Sequence, residues 1–296
     1  MPMHPHPDSN KPCISVIIPH FNDLEGLQTC LQRLAQQTLD RTQFEVIVAD
    51  NNSAIGMEAV RAVVGDRAIV VPAVEQGAAA ARNAAVASAQ GEILAFIDSD
   101  CRPAVDWLEQ GLKAMAEAEV IGGCMVVSAD GDRLHPVEAF EAVFAFNNEA
   151  YVKHKGFSVT ANLFVRRAVF EAVGGFRVGV SEDKDWCLRA GAMGYRIGYA
   201  AQAVVEHPAR QNWTELAKKW QRLIREEYRL IREHRWGQLK WLVRSWAVLV
   251  SPVAHLFVVL RCHNLRWQDK LNAIAILFRI RLYRFIEAHR VFVAQL

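Results

Sequence analysis

The feature that constrains this chain most is a short apolar run that ends abruptly in two aspartates. Residues 93–97 read Ile-Leu-Ala-Phe-Ile and are followed by Asp98, Ser99 and Asp100. Such a run is too short for a helix and is typical of a buried strand. Two neighbouring carboxylates repel each other unless positive charge lies between them, and hard divalent cations take carboxylate and phosphate oxygens together. The run therefore predicts a site for a cation carrying a diphosphate, with a solvated turn as the alternative.

The chain before this strand has the pattern of an α/β fold. Residues 14–19 form a β-branched run that ends in proline, residues 24–37 carry apolar side chains at helical spacing, and residues 44–49 repeat the strand pattern. In such β-α-β units, ligands bind outside the carboxyl ends of the parallel strands. We therefore expect Asp50, directly after the second strand, to line the same nucleotide crevice as Asp98.

An alanine-rich helix is predicted at residues 78–89. Its small side chains would let it lie close to the sheet, and Arg82 in its first turns could reach a phosphate; a solvated helix charge is the alternative. Neither the dinucleotide-binding glycine motif nor the P-loop motif occurs in the sequence, which argues against a dinucleotide-dependent dehydrogenase. The phosphates therefore need another partner, and a metal ion on Asp100 is the most economical one.

A second acidic cluster lies at residues 182–185, where a helical pattern begins. Carboxylates in a first helical turn often only complement the helix dipole. The functional alternative gives one of them the removal of a proton from an incoming hydroxyl. Two strands predicted at 195–199 and 203–205 then lead to His207, a candidate third metal ligand, although a lone histidine is more often structural.

Charge divides the chain at Arg210. Residues 1–209 carry a net charge of −9, whereas residues 210–296 carry +11. The basic part is also rich in Trp, Phe and Leu, which suits an anionic membrane surface better than a nucleic acid. We therefore expect a disordered leader at 1–12, a catalytic domain at 13–209 and a basic amphipathic helical, membrane-associating region at 210–296.

The ends of the chain and its cysteines indicate the compartment. The leader is rich in Pro and His and has no apolar core, so it does not match a secretory signal. The six cysteines show no C-x-x-C pair, which favours a reducing compartment over a disulfide framework or a zinc site. These features predict a protein on the cytoplasmic side of the membrane.

The basic region contains a charge-free segment at residues 246–260. It is shorter than the roughly 20 apolar residues that span a bilayer, and Pro252 and His255 interrupt it. We predict an interfacial or re-entrant segment. Packing of these helices on the catalytic domain, or a homodimer interface between them, is the alternative.

Several short motifs occur in the order found in one known family. They are Ile-Ile-Pro (17–19), Ala-Asp-Asn-Asn-Ser (49–53), Gly-Ala-Ala-Ala-Ala-Arg-Asn (77–83), Asp-Ser-Asp (98–100), Val-Gly-Gly-Phe (173–176), Ser-Glu-Asp-Lys-Asp-Trp (181–186) and His-Pro (207–208). Over residues 14–208 the sequence resembles the family 2 glycosyltransferases, inverting enzymes with the GT-A fold. Glu-Gln-Gly at 75–77 departs from the family's usual Asn-x-Gly, which leaves the details of that loop open.

The resemblance implies an α/β fold with a Rossmann-like, mostly parallel central sheet flanked by helices, and it implies roles for individual residues. Asp50 would bind the nucleobase, Arg82 the phosphates, and Asp98 the ribose or the metal. Asp183 would be the general base, with Glu182 helping to orient a substrate. The remaining assignments are Pro19 and Ser99 in donor binding, Asp100, His207 and Asp98 around Mn²⁺ or Mg²⁺, and Asn162 and Trp186 on the acceptor side.

The sequence thus predicts a metal-dependent, inverting hexosyltransferase of polysaccharide biosynthesis. It would move a sugar from a UDP- or GDP-sugar to a hydroxyl of a lipid-linked or glycan acceptor, peripheral on the inner face of the cell membrane and without a nucleic acid partner. One alternative is a nucleotidyltransferase that makes nucleotide sugars, although such enzymes usually need a glycine-rich basic loop that residues 19–23 lack. The other is a non-catalytic scaffold that binds nucleotide sugars or membranes.

Overall fold

A computed structural model describes residues 12–128 and 133–294. The predicted leader therefore lies, apart from Pro12, outside the described residues. The strands are β1 (Ile14–His20), β2 (Phe44–Asp50), β3 (Ile69–Pro72), β4 (Ile93–Phe96), β5 (Arg102–Pro103), β6 (Val120–Ser128), β7 (Leu163–Arg166) and β8 (Ile197–Pro208). They form one mixed sheet in the order β3-β2-β1-β4-β7-β6-β8-β5. This is the expected α/β fold class.

The described helices flank or follow this sheet. They are α1 (Leu24–Leu34), α2 (Met57–Val64), α3 (Ala78–Ser88), α4 (Trp107–Ala114), α5 (Pro136–Phe144), α6 (Asn148–Lys155), α7 (Arg167–Val173), α8 (Glu182–Ala192), α9 (Trp213–Arg232), α10 (Gly237–Val250), α11 (Pro252–Arg261) and α12 (Trp267–Val293). Asp23 caps α1, because its Oδ1 accepts a hydrogen bond from the Gly26 amide at 2.9 Å.

The first half of the sheet is parallel and covered on both faces. β1 pairs in parallel with β2 and β4, and β2 pairs with β3. Every residue of β1 is buried, as expected for a strand between two layers of helices. Ile14, Val16 and Ile18 belong to one apolar cluster and Ile17 to the other, so successive side chains enter opposite faces.

The second half of the sheet is antiparallel, since β7 runs antiparallel to both β4 and β6. The two short strands predicted at 195–199 and 203–205 are one continuous strand, β8. The intervening Ala200 and Ala201 have little strand propensity of their own. Pairing within the sheet outweighs this local preference.

The described residues group by their contacts into two compact units. The sheet unit takes them from Met1–Met125, Asn148–Val178 and Trp186–Glu206, and the helical unit from Val126–Asn147, Gly179–Asp185 and His207–Leu296. The chain passes from the sheet unit to the helical unit for the last time between Glu206 and His207. Two earlier segments, however, group with the C-terminal helices.

The helical unit has its own apolar core. Leu216 of α9 and Leu277 of α12 pack with Val137 and Phe140 of α5, and a second cluster joins α9, α10 and α12. In that cluster the Trp241 indole donates to the Ala288 carbonyl at 3.0 Å. The basic region therefore buries one apolar face within its own unit.

No single helix within residues 12–128 and 133–294 is long and apolar enough to cross a membrane. Helices α10 and α11 together meet that criterion of length and composition, but they are bent by 47°.

Candidate active site

Two of the predicted donor-site aspartates lie at the same edge of the sheet. Asp50 ends β2, where it is in register with His20 of β1. Asp98 follows β4, which pairs with β1 on its other side. Because neighbouring strands lie about 4.8 Å apart, the two aspartates are separated by one strand at the carboxyl edge of the parallel part of the sheet. This is the place where open α/β sheets bind ligands.

Asp50 is held by a buried hydrogen-bond network. Its Oδ1 accepts from His20 Nδ1 at 3.0 Å and from the Ser53 hydroxyl at 2.5 Å, and its Oδ2 accepts from the Ser53 amide at 3.2 Å. Burial opposes ionisation of Asp50, but these hydrogen bonds and the neighbouring His20 outweigh burial and lower its pKa. The carboxylate is therefore charged and fixed in orientation.

His20 is a site residue that the sequence reasoning missed. It is 1% exposed, and its Nε2 accepts from the Asp23 amide at 3.3 Å. The imidazole proton therefore lies on Nδ1, directed at Asp50. The available signal was the position of His20, directly after the Ile-Ile-Pro strand and opposite Asp50.

Arg82 lies beside Asp98 and is not the solvated helix charge of the alternative interpretation. Its side chain is 3% exposed, and its Nη2 lies 2.5 Å from Asp98 Oδ1. Helix α3 can bring Arg82 there because Ala79, Ala81 and Ala85 pack closely against the sheet. The arginine supplies the positive charge that a pair of nearby carboxylates requires.

Asn83, the next residue, connects two of the sequence motifs. Its Nδ2 donates to the Phe176 carbonyl at 2.8 Å, and its Oδ1 accepts from the Phe176 amide at 2.9 Å. A Cβ on Gly175 would lie 2.9 Å from Asn83 Oδ1, so a larger residue there would displace the Asn83 amide from the Phe176 backbone. The Arg-Asn and Gly-Gly-Phe motifs are therefore parts of one contact.

Asp98, Ser99 and Asp100 are half-buried at the end of β4. Beneath them, the pKa values of the Cys30 and Cys101 thiols are raised, first by burial and then by the charges of Asp100 and Asp98. Both thiols stay protonated, so the negative potential of this turn comes from the carboxylates. It suits a hard cation.

The loop in which the family pattern is broken is ordered by Asn51. The Asn51 Nδ2 donates to the Glu75 carbonyl at 2.7 Å, and its Oδ1 accepts from the Gly77 amide at 2.6 Å. Gly77 has a φ of +124°, a conformation that favours glycine, directly before α3. Glu-Gln-Gly at 75–77 thus still forms an ordered entry to the helix that carries Arg82.

In the helical unit, Asp183 lies in an anchored acidic segment. Asp183 Oδ1 accepts from the Ser181 hydroxyl at 3.2 Å and from the Lys184 amide at 2.7 Å. Lys184 Nζ lies 3.3 Å from Glu227 of α9, and Arg229 donates to the Gly179 carbonyl at 3.0 Å. Helix α9 therefore holds this segment from both sides of Asp183.

Glu226 of α9 is a third carboxylate near Glu182 and Asp183. Burial and the negative charges of these two neighbours raise its pKa to about 7, although Arg222 opposes the shift. No local pattern marks this residue in the sequence, since it looks like an ordinary charge of a basic helix.

His207 belongs to the helical unit and is 6% exposed. Its Nδ1 lies 2.7 Å from the Pro208 carbonyl, which can only accept, so Nδ1 carries the proton. Nε2 is then the nitrogen with the lone pair, as in metal-binding histidines whose other nitrogen donates to a carbonyl. The ring of Phe146 lies 5.2 Å from the imidazole and restricts its orientation.

The two residues predicted on the acceptor side are both fully buried. Asn162 accepts from the Trp107 indole and donates to the Cys124 and Ala203 carbonyls, all at 2.9 Å. Trp186 packs against Phe170 and Phe176 and donates to the Gly174 carbonyl at 2.8 Å. These contacts are packing roles, which the sequence reasoning did not anticipate. An acceptor-side role for either residue stays a prediction.

The carboxylates of the Asp98-Ser99-Asp100 turn have the donor chemistry of a site that shares a divalent cation with substrate phosphates. Within the described ranges no three His, Cys, Asp or Glu side chains converge as a ready-made cation site. Asp98 and Asp100 offer the hard oxygen donors that Mg²⁺ and Mn²⁺ prefer, and such ions commonly complete their shell with substrate phosphates. The donor set therefore fits a divalent cation that binds together with a diphosphate.

Comparison with known proteins gives a consistent result. The model of the glycosyl transferase family 2 matches residues 15–176. Glycosyltransferase AglE of Haloferax volcanii is 32% identical over 71% of this chain and 71% of its own length. The pre-mycofactocin glycosyltransferase of Mycobacterium tuberculosis is 30% identical over 70% of this chain and 45% of its own length.

A solved structure shows the same fold. The mannosyltransferase PcManGT of Pyrobaculum calidifontis, in complex with GDP-Man and Mn²⁺, superimposes with a TM-score of 0.63. The match covers 94% of this chain and 86% of that one at 21% sequence identity.

Proposed function

This chain belongs to the glycosyl transferase family 2 and is a glycosyltransferase, and from that premise we propose that it moves a hexose from a UDP- or GDP-sugar to a hydroxyl of a lipid-linked or glycan acceptor. The observation that carries the proposal is the Asp98-Ser99-Asp100 turn beside buried Arg82, at the edge where parallel strands end. The GDP-Man bound to the Pyrobaculum mannosyltransferase supports this class of donor.

We assign the donor end of the reaction to the sheet unit. Asp50, fixed by His20 and Ser53, is suited to accept hydrogen bonds from a nucleobase. Pro19 of β1 and Ser99 after β4 lie at the same carboxyl edge of the sheet. Arg82 places a guanidinium next to Asp98, where it can bind an anionic group bidentately. Asp98 would then face the ribose or the cation.

We propose Asp100 and Asp98 as protein ligands of Mn²⁺ or Mg²⁺, and the assignment of His207 as a third ligand, which the family resemblance implies, stays a prediction. The bound ion would neutralise negative charge on the departing nucleoside diphosphate. Asp98 and Asp100 would contribute hard oxygens. The Pro208 carbonyl holds the His207 ring with the lone pair on Nε2, the atom that would ligate a metal.

Asp183 is the proposed general base. It would take the proton of the acceptor hydroxyl as that oxygen attacks the anomeric carbon from the face opposite the nucleotide. A single displacement of this kind inverts the anomeric carbon. The Ser181 hydroxyl and the Lys184 amide fix Asp183 Oδ1, and Glu182 would help to orient a substrate.

We further propose that the protein acts on the inner face of the cell membrane, as a peripheral protein. The +11 net charge of residues 210–296 supports this location, and a lipid-linked acceptor would be met there. No nucleic acid partner is proposed. The alternative is that the C-terminal helices form a homodimer interface.

Donor turnover tests the proposal. Purified protein is incubated with a panel of nucleotide sugars and Mn²⁺, with and without a chelator, and release of nucleoside diphosphate is followed. We expect one donor to be consumed, chelation and Asp100→Ala to abolish turnover, and Asp183→Asn to bind donor without transfer. Asp66→Asn, an exposed aspartate in the sheet unit, is the matched control and should behave as wild type.

Two outcomes would contradict the proposal. Release of pyrophosphate from nucleoside triphosphates, without turnover of any nucleotide sugar, would identify a nucleotidyltransferase. Donor binding that is equal in wild type and Asp183→Asn, with no turnover in either, would identify a non-catalytic scaffold.

A further inference from the structure

The surface of α10 and α11 carries an apolar stripe that faces solvent. Its side chains are 57–68% exposed and recur at alternating steps of four and three residues, a spacing that places the first four on one side of α10 and the last two on one side of α11. They are Leu239, Val243, Trp246, Val250, Val253 and Phe257.

This stripe is distinct from the face with which α10 and α11 pack in their own unit. Trp241, Ser245 and Val259 are at most 4% exposed and lie on the packed side. A helix that covers a water-soluble core normally has a polar outer face. An apolar outer face therefore marks an interaction surface.

A second exposed stripe runs along α12 and meets the first. Its members are 40–67% exposed: Trp267, Leu271, Phe278, Leu282, Ile286 and Val293. The ring of Trp246 on α10 contacts Phe285 on α12, with 4.8 Å between ring centroids. The two stripes are thus connected into one apolar surface, which we call the outer apolar surface.

Charge identifies what this surface contacts. Residues 237–296 contain nine Lys and Arg but only Asp269 and Glu287 as acids. Asp269 pairs with Arg266 at 2.9 Å and Glu287 with Arg290 at 2.6 Å, so both acids are already neutralised within the unit. An apolar helical face with basic neighbours is the pattern of helices that lie in the headgroup region of anionic membranes.

A second copy of the chain fits less well. It would bring the same excess of positive charge against this one, and like charges at an interface oppose association. The stripe spacing resembles a coiled-coil seam, but the 47° bend between α10 and α11 interrupts the straight path that such a seam needs.

We propose that the outer apolar surface of α10, α11 and α12 docks onto an anionic lipid bilayer, with α10 and α11 lying in the interface as a bent pair. This inference rests on the membrane location proposed above and identifies the residues that would produce it. Trp246 and Trp267 enter the headgroup layer, where indole rings are favoured, while Arg and Lys side chains reach lipid phosphates.

The test measures binding of the full chain to vesicles. Cosedimentation is compared for vesicles of phosphatidylcholine alone and of phosphatidylcholine with phosphatidylglycerol, at low and high salt. Wild type should bind the anionic vesicles at least tenfold more tightly, and salt should weaken binding. Val243→Glu/Val250→Glu should lose at least tenfold in affinity, whereas Val74→Glu, at a 90% exposed valine of the sheet unit, should match wild type.

A second variant keeps the test decisive if the glutamates impair folding. Val243→Ser/Val250→Ser adds no charge and should still weaken binding, with an unchanged circular dichroism spectrum. The proposal is overturned if both double variants bind like wild type. It is also overturned if wild type ignores anionic vesicles and instead forms a dimer that Val243→Glu/Val250→Glu disperses.

Donor turnover, measured in parallel without vesicles, separates the two proposals. Turnover by wild type and by Val243→Glu/Val250→Glu, without any vesicle binding, would overturn the docking surface alone. Vesicle binding that depends on Val243 and Val250, without any donor turnover, would support the docking surface and contradict only the proposed enzyme reaction.

Discussion

Replacing Glu141 by glutamine should destabilise the protein severely. Glu141 of α5 is 1% exposed and accepts from the Arg210 amide at 2.8 Å, from the Arg210 guanidinium at 3.0 Å and from Lys219 at 3.1 Å. Burial opposes its ionisation, but the charges of Lys219 and Arg210 outweigh burial and lower its pKa. The carboxylate is therefore the buried, charged centre of a triad whose two cations are partly exposed.

The loss of stability can be estimated from the two cations that the substitution leaves without a carboxylate. A glutamine side chain would keep the shape of Glu141 but leave two cations facing each other, and removal of one member of a buried ion pair costs about 3–5 kcal/mol. The pKa of Lys219 is already lowered to about 8, first by burial and then by Arg210, and it should fall further without Glu141. For a unit of about 120 residues, a loss of about 3 kcal/mol lowers Tm by roughly 10 °C.

The assay is denaturant and thermal unfolding at pH 7. Glu138→Gln is the matched control, because Glu138 is buried in the same helix and accepts from the His135 amide at 2.6 Å. Glutamine serves this capping position as well as glutamate does, so its cost should stay within about 0.5 kcal/mol. A Glu141→Gln loss below about 1 kcal/mol, or one equal to that of Glu138→Gln, would refute the reasoning.

The substitution should also affect the site. Arg210 follows His207 by three residues, and Glu141 holds both its backbone and its side chain. Because His207 is a predicted metal ligand, loosening this segment should weaken donor binding in the presence of Mn²⁺, measured by calorimetry at a temperature where the variant is still folded. Equal donor affinity of wild type and Glu141→Gln would show that the Glu141 triad does not influence His207.

Three further predictions concern other contacts. Glu226 has a raised pKa of about 7, so the native state binds more protons than the unfolded chain between about pH 4.5 and 7, and stability falls as pH rises through that window. Glu226→Gln should remove this pH dependence and raise the free energy of unfolding by up to about 3 kcal/mol at pH 8. A variant whose urea unfolding depends on pH as that of wild type does would contradict this prediction. Asn83→Ala leaves the Phe176 amide and carbonyl unpaired and should cost about 2–3 kcal/mol in urea unfolding; a loss under about 0.5 kcal/mol would contradict the shared contact. Arg82→Lys keeps the positive charge but loses the planar guanidinium group, so the donor Kd measured by calorimetry should rise about tenfold or more with an unchanged Tm. An unchanged Kd would show that Arg82 does not bind the donor.

The parts of the fold that local patterns determine were predictable. Strands β1, β2 and β4 are mostly apolar, and the polar residue at or just beyond the end of each apolar run marks where the strand stops. The edge shared by Asp50 and Asp98 then follows from the rule that successive parallel strands align their carboxyl ends. These predictions needed no contact between distant residues.

Partners that are distant in the sequence could not be predicted in this way. Lys219 and Glu141 are 78 residues apart, and no local pattern indicates that they pair. Asn162 was predicted on the acceptor side, and nothing near it in the sequence indicated the three buried hydrogen bonds that its amide makes. Propensity describes only the neighbourhood of each residue, whereas such roles depend on which segments meet.

Because segments of the two units alternate along the chain, catalysis and membrane binding cannot be separated by cutting the chain at one point. A version of the chain ending at residue 209 would retain α5 but lose α9 and α12, against which Val137 and Phe140 pack. It would also leave Glu141, buried in the intact protein, without Arg210 or Lys219 to neutralise it. Deleting the basic region should thus give an aggregation-prone fragment, so point substitutions on exposed positions are the sounder way to detach this enzyme from a surface.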